Sequence, residues 1–345
     1  MIVRTAKSAA IALLLATSLA GCSDGAGKPA SLVDKIKERG TLNCSGSQGV
    51  PGLSRPDEKG VWRGFDSDVC RAIASAILGD AEKVKFVPLN AAQRLPAVQT
   101  GEIDVLSRTS TLTFSRDMAI RFVANTLYDG DVIITRNADG IDTPAKLNGR
   151  TICMQGGGSL VEGALDEIEE TNKIKMKRVY FDSTITARDT YFAGRCDAYV
   201  TDGLAAQSQI ATVAPNPADH AMMRAGPSVE PNGVAIQRGD DRMFDVARWT
   251  VNVLIWAEHN GITKANVDQV AKSGDSSVRR VLGDDPSFGR SMGLEPDWAY
   301  KVIKQVGNYG EIWDRNLGDS TPIKADRGYN KLYTDGGLMF PLPWE

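Results

Sequence analysis

Histidines, cysteines, a glycine run and two charged positions are the residues of this chain most open to a chemical reading. His220 and His259 stand far apart, with no His-Glu-x-x-His and no Ser-His-Asp order around either. A positioned general acid or base is therefore not indicated. The five cysteines are Cys22, Cys44, Cys70, Cys153 and Cys196, and none are spaced Cys-x-x-Cys, which argues against zinc. With two histidines in all, a His-rich metal centre has no support either. Gly156-Gly157-Gly158-Ser159 reads as a helix N-terminus suited to an anion. No Gly-Lys-Ser/Thr follows it, so it is not a P-loop. Arg116 offers a planar guanidinium, able to grip a carboxylate through two parallel hydrogen bonds. Asp202 follows a short apolar run and opens a helix, a natural N-cap position.

The elements that must hold these residues alternate regularly. Leu32 to Arg39 reads as a short amphipathic helix ended by Gly40, and Thr41 to Cys44 as a strand. A helix is predicted over Phe65 to Leu78, a strand over Val84 to Leu89, a helix over Arg94 to Thr100 and a buried strand over Ile103 to Leu106. This is the order of a parallel sheet covered by helices. It then repeats: strands at Asp131 to Thr135 and Thr151 to Met154, a helix over about 160–170, a strand at Lys177 to Phe181, a helix at Thr186 to Phe192, a strand at Asp197 to Val200, and a helix from Asp202 to Ile210. Val234 to Gln237 reads as a strand returning to the first unit. After Phe244 the chain reads as helices with short loops and an aromatic-rich end. Two similar α/β lobes are expected.

The composition fits that expectation. The chain has 345 residues, 42% hydrophobic and 24% charged, with a formal net charge of −3. At about 150 residues per domain this is two domains, and wholesale disorder is excluded. The 40 basic and 43 acidic residues nearly cancel, leaving no field for a nucleic-acid backbone. Arg4 and Lys7 precede an apolar stretch from Ala9 to Ala20, the pattern of a secretory signal. Leu19-Ala20-Gly21-Cys22 looks like a bacterial lipobox, so residues 1–22 read as a lipoprotein signal with Cys22 as the lipidated residue. Residues 23–31 read as a flexible tether. The four remaining cysteines of an exported chain suggest two disulfides, with three pairings open. Cys44–Cys70 and Cys153–Cys196 is the preferred pairing, because it puts one staple in each α/β unit.

Five segments carry a resemblance. They are Gly64-Phe65-Asp66-Ser67-Asp68, Gly101 to Arg108, Thr109 to Arg116, Ala193 to Tyr199, and Val306-Gly307-Asn308-Tyr309-Gly310-Glu311. In this order the chain resembles the extracytoplasmic substrate-binding proteins of amino-acid ABC transporters, nearest the general L-amino-acid-binding subgroup, over residues 32–345. The resemblance implies an α/β fold of the two-lobe periplasmic-binding-protein type (type II), with a cleft between lobes joined by two hinge strands. Lobe one would be 32–131 plus 232–345 and lobe two 136–226. It implies a binding function with no catalysis and no cofactor. The expected partners are an L-amino acid and permease subunits, with membrane contact through the lipid alone and a monomeric chain. Arg116 would clamp the ligand α-carboxylate, with Thr109 and Thr111 beside it. Asp202 would face the α-ammonium, and Ser159 would add a contact from lobe two. Arg94 would meet the ligand side chain and bias it toward acidic or amide groups. Three positions depart from the pattern: Gly158 stands where Thr is usual, Val50 where an aromatic wall is usual, and Gly46 where glutamate binders carry a second basic residue. A sensor subunit and a periplasmic dehydratase on the same fold are the alternatives.

Overall fold

The structure is a computed structural model that describes residues 30–47, 49–157, 160–226 and 229–345. The signal segment with Cys22, the tether up to residue 29, Gly158 and Ser159 lie outside the described residues. Ser31, placed with the tether on sequence, is the N-cap of helix α1 (Leu32–Arg39) and hydrogen-bonds to Asp240 at 3.0 Å. Among the described residues no helix is long and apolar enough to cross a membrane.

Two five-stranded mixed sheets organise the chain. The first has strands β1 (Leu42–Gly46), β4 (Val84–Pro88), β5 (Val105–Leu106), β6 (Arg121–Asp129) and β12 (Glu230–Ile236), in the order β4-β1-β5-β12-β6. A small ribbon of β2 (Arg55–Pro56) and β3 (Trp62–Arg63) lies outside it. The second sheet has β7 (Asp131–Arg136), β8 (Thr151–Gln155), β9 (Lys177–Phe181), β10 (Ala198–Asp202) and β11 (His220–Arg224), in the order β11-β7-β10-β8-β9. Each sheet has a central strand flanked by one parallel and one antiparallel neighbour. For β5 these are β1 and β12; for β10 they are β8 and β7. The strand order reverses beside β1, with β4 on one side and β5 on the other, and beside β8, with β9 on one side and β10 on the other; in open α/β sheets ligands bind at such a switch point, at the carboxyl ends of the strands.

The chain passes between the sheets twice. Gly130 alone separates β6 from β7, and residues 225–229 separate β11 from β12. The sequence-based boundaries differ slightly from these points: Asp131 already belongs to β7 and Glu230 already belongs to β12.

Helix α2 (Phe65–Leu78) is buried on every side from Phe65 to Ile77, because sheet one lies beneath it and later helices cover it. Its Phe65 meets Tyr309 and Trp313 edge-on at centroid distances of 5.4 and 6.2 Å. Disulfide Cys44–Cys70 ties β1 to α2, and Cys153–Cys196 ties β8 to the turn before β10, one in each sheet's own unit. The aromatic-rich end packs onto lobe one. Trp344 touches Trp249, Trp256, Phe288 and Trp298, and the Asn330 amide accepts from Tyr128 N–H at 2.7 Å and donates to its carbonyl at 2.9 Å.

Candidate functional site

The carboxyl ends of strands from both sheets converge on one cavity. Ser47 follows β1, Arg108 follows β5, Gln155 ends β8 and Asp202 ends β10, and all four line it. Arg94 comes from the start of helix α3 (Arg94–Thr100), and Arg116 from helix α4 (Phe114–Ala119). Apolar surface comes from Val50, Leu53, Ala91, Leu160 and Ala205. The lobes touch beside it: the Ser208 hydroxyl of helix α7 (Gly203–Thr212) donates to the Pro51 carbonyl at 2.5 Å.

Of the ligand-binding residues expected from sequence, Arg94, Thr109, Thr111, Arg116 and Asp202 all line this cavity. Ser159 lies outside the described residues, although its neighbours Gly157 and Leu160 border the cleft: a Cβ added to Gly157 would stand 3.3 Å from Ala92, across the lobes. Val50 takes the place of the aromatic wall and is itself a lining residue. Gly46 has a steric reason. A Cβ there would come within 2.5 Å of the Trp62 ring, so a side chain fits only if that ring shifts. The histidines are elsewhere. His220 Nδ1 is 2.8 Å from the Tyr191 hydroxyl, and His259 stacks on Tyr333.

Several charged residues that sequence reasoning did not single out share the cavity. Arg108 is one, and Asp131 and Glu230 are two more. Arg108 and the nearby Asp66 stood inside segments that carried the resemblance, which was the available signal. Glu230, beside a proline at a sheet crossing, offered none. The two threonine hydroxyls are directed at carboxylates: Thr109 Oγ1 donates to Asp66 at 2.9 Å and Thr111 Oγ1 to Glu230 at 2.8 Å. Thr109 also sits at φ 38°, a left-handed backbone uncommon for a β-branched residue. Arg116 donates to the Thr111 carbonyl at 3.0 Å.

Burial dominates the electrostatics. It pushes the Arg94 guanidinium down to about 9, and repulsion from Arg108 and Arg116 adds to the effect. Burial also lowers Arg108 and Arg116, opposed by the carboxylates around them. The acids move the other way. Burial raises Asp66 to about 6 against the Thr109 hydrogen bond. Asp202 is raised by burial, with Arg94, Arg108 and Arg116 pulling it back. Asp131 and Glu230 are raised by burial and by repulsion from Asp202.

Carboxylate oxygens of Asp131, Asp202 and Glu230 lie within 4.8 Å of one another. Such a cluster can receive a cation. Arg116 interacts with all three acids, and its charge disfavours a metal ion there far more than an ammonium group that a neighbouring carboxylate accompanies. The cavity therefore offers a cationic wall and an anionic wall within one enclosed space, the pattern a zwitterion requires.

Comparison with known proteins agrees. The general L-amino acid-binding periplasmic protein AapJ of Rhizobium johnstonii is 41% identical over 318 residues, covering 91% of this chain and 93% of that protein. The glutamate/glutamine/aspartate/asparagine-binding protein BztA of Rhodobacter capsulatus is also 41% identical over 318 residues, with 91% and 94% covered. A solved ABC-transporter periplasmic binding protein from Brucella ovis with glutathione bound superposes with a TM-score of 0.87 at 41% identity, covering 91% of this chain and 99% of that one. Residues 42–281 match a single family, and the chain belongs to the bacterial extracellular solute-binding proteins, family 3.

Proposed function

We propose that this protein binds amino acids outside the cytoplasm, with acidic and amide side chains preferred, and delivers them to an ABC permease. The observation that carries this reading is the pairing of Arg116, on lobe one, with Asp202, on lobe two, in one buried cavity. Arg116 takes the α-carboxylate with support from Thr111 and the segment at Thr109. Asp202 takes the α-ammonium, with Glu230 and Asp131 adding to the negative potential. Ser159 adds a contact from lobe two. Arg94 faces the side chain. An open form captures the ligand on lobe one, and closure brings Asp202 over it and excludes water, which strengthens both ionic contacts. The ligand shifts the open–closed equilibrium only by its differential affinity for the closed state. The substrates in the names of AapJ and BztA support a broad receptor.

Glutathione in the Brucella structure favours a second ligand class. Its γ-glutamyl end carries the same α-ammonium and α-carboxylate, so a γ-glutamyl peptide can present the same head to Arg116 and Asp202. The reading is binding without catalysis, and the binding proteins AapJ and BztA among its relatives support it. A lipid on Cys22 holds the chain at a membrane, and the chain acts as a monomer.

The test is a thermal-shift panel of the L-amino acids and glutathione on residues 23–345, followed by calorimetry. Stabilisation by glutamate, glutamine, aspartate and asparagine is expected, growing with ligand concentration. A flat response to every amino acid and to glutathione would remove the reading.

A further inference from the structure

We infer that Arg108 is a second carboxylate-binding group of the cleft, and that the ligands bound most tightly carry a carboxylate beyond the α-carboxylate. The inference rests on the amino-acid-binding reading above and adds a residue that neither motif nor relative assigned.

Arg108 is 92% buried, being 8% exposed, and its side chain lines the cavity. Among the described residues its guanidinium donates no hydrogen bond and forms no ion pair, and its Nε is fully enclosed without a partner. A guanidinium has five N–H donors in a fixed fork, and a buried one without an acceptor is costly to maintain. The other buried arginine of lobe one outside the cavity shows the ordinary solution: Arg71 donates to Asp68 at 3.1 Å and to the Trp62 carbonyl at 2.6 Å. Arg108 has no such arrangement, although Asp66 and Asp202 are near enough to influence it electrostatically.

Its position is set by the sheet. Arg108 lies two residues beyond β5, the central strand of sheet one. Ser107, before it, is held by the Ser45 hydroxyl, which accepts from Ser107 N–H at 2.9 Å, and by the Asp66 carbonyl, which accepts from the Ser107 hydroxyl at 3.2 Å. Behind it, the Ser110 hydroxyl donates to the Arg108 carbonyl at 3.1 Å and Thr109 takes its left-handed turn. The backbone on both sides is therefore anchored, and the guanidinium is presented to the cavity rather than left to roam.

The unpartnered fork of Arg108 names the ligand. Arg108 and Arg94 repel each other inside the protein, and Arg116 adds a third positive charge. Asp66 and Asp202 offset part of that charge, yet neither accepts a hydrogen bond from Arg108, so a monocarboxylate held by Arg116 leaves the Arg108 fork without an acceptor. A second carboxylate placed there accepts from the Arg108 fork and screens its repulsion from Arg94. Glutamate and aspartate supply that group. Glutamine and asparagine supply one neutral acceptor and two unwanted donors facing guanidinium donors.

Calorimetry with L-glutamate and L-glutamine on wild type and Arg108→Gln separates the cases. Wild type is expected to prefer glutamate. Arg108→Gln is expected to weaken glutamate at least about tenfold while changing glutamine by less than about threefold, since a charge-assisted fork to a carboxylate is the contact removed. Equal weakening of both ligands, or no change in either, would overturn the inference and leave the amino-acid-binding reading standing. Binding of neither ligand to wild type would remove both. Should the glutamine variant fail to fold, Arg108→Lys carries the test. It keeps the charge but loses the fork, so it must narrow the glutamate-to-glutamine ratio, and an unchanged ratio would overturn the inference.

Discussion

Asp202 occupies an N-cap position, yet its carboxylate makes no capping hydrogen bond. Asp129 does that work from the other strand: its Oδ2 accepts from Leu204 N–H at 3.0 Å, and a Cβ on Gly203 would stand 2.7 Å from its Oδ1. The Asp202 carboxylate is thereby left to the cavity. Asp202→Asn should raise the Kd for glutamate by about 30-fold or more, in the range found when one partner of a buried charge pair is lost. Without ligand, its thermal stability should hold or rise, because a buried carboxylate whose charge is disfavoured by burial has been neutralised. Calorimetry and differential scanning on the same sample check both, and an unchanged Kd would remove the ammonium role. That Arg116, Arg94 and Asp202 line the cavity was legible in the sequence, because each matches a position the resemblance assigns to the ligand. Arg108 and Glu230 were not, because their significance lies in burial and in missing or remote partners. Thr111 and Glu230 meet across 119 residues of sequence, which no local pattern encodes.

At the scale of elements, the α/β alternation was readable wherever helices carried clear stops. Helix α2 runs Phe65–Leu78 and ends at Gly79 with φ 69°, as its pattern predicts. Strands β6 and β11 were not identified, and β12 begins at Glu230 rather than Val234. Pro231, Asn232 and Gly233 are poor strand formers; pairing with β6 overrides their preference, with irregular register at Asn232/Gly233 and Val234/Ala235. Gly46 shows the same tertiary control. Its place at the end of β1 is dictated by Trp62, which stacks on Phe86 at 5.3 Å and fills the space a side chain would need. Gly46→Ala should cost about 1–3 kcal/mol of stability through overpacking. A thermal unfolding experiment checks it, and an unchanged Tm would show that Trp62 moves freely. For the same reason, a basic residue at position 46, as glutamate binders carry, would require Trp62 to shift.

At the scale of the whole molecule, the two sheet crossings carry a concentration of buried acids. Asp129 and Asp131 flank Gly130, and Glu230 opens the return strand opposite Asp129. Burial, with repulsion from Asp202 and Glu230, raises Asp129 from 3.8 to about 7. The folded state therefore holds this proton more tightly than the unfolded state. Stability from this group is full below about pH 4 and is lost as pH rises through about 7. Asp66, Asp131, Asp202 and Glu230 act in the same direction, while Arg116 opposes the shift at Asp131. Without ligand, the Tm should fall between pH 5 and pH 8. Asp129→Asn should reduce that fall by about 2–4 °C for each kcal/mol removed. A Tm that rises over the same interval would contradict this assignment. An amino acid's ammonium group, bound beside these acids, should offset part of the loss. One cleft between two lobes is proposed to hold a zwitterion between Arg116 and Asp202. The most direct test is calorimetric titration of L-glutamate into residues 23–345 and into the Arg116→Ala variant. One-site binding to wild type is expected, with a loss of at least about 100-fold in the variant, because a desolvated carboxylate loses its partner. Equal affinities in the two proteins would contradict it.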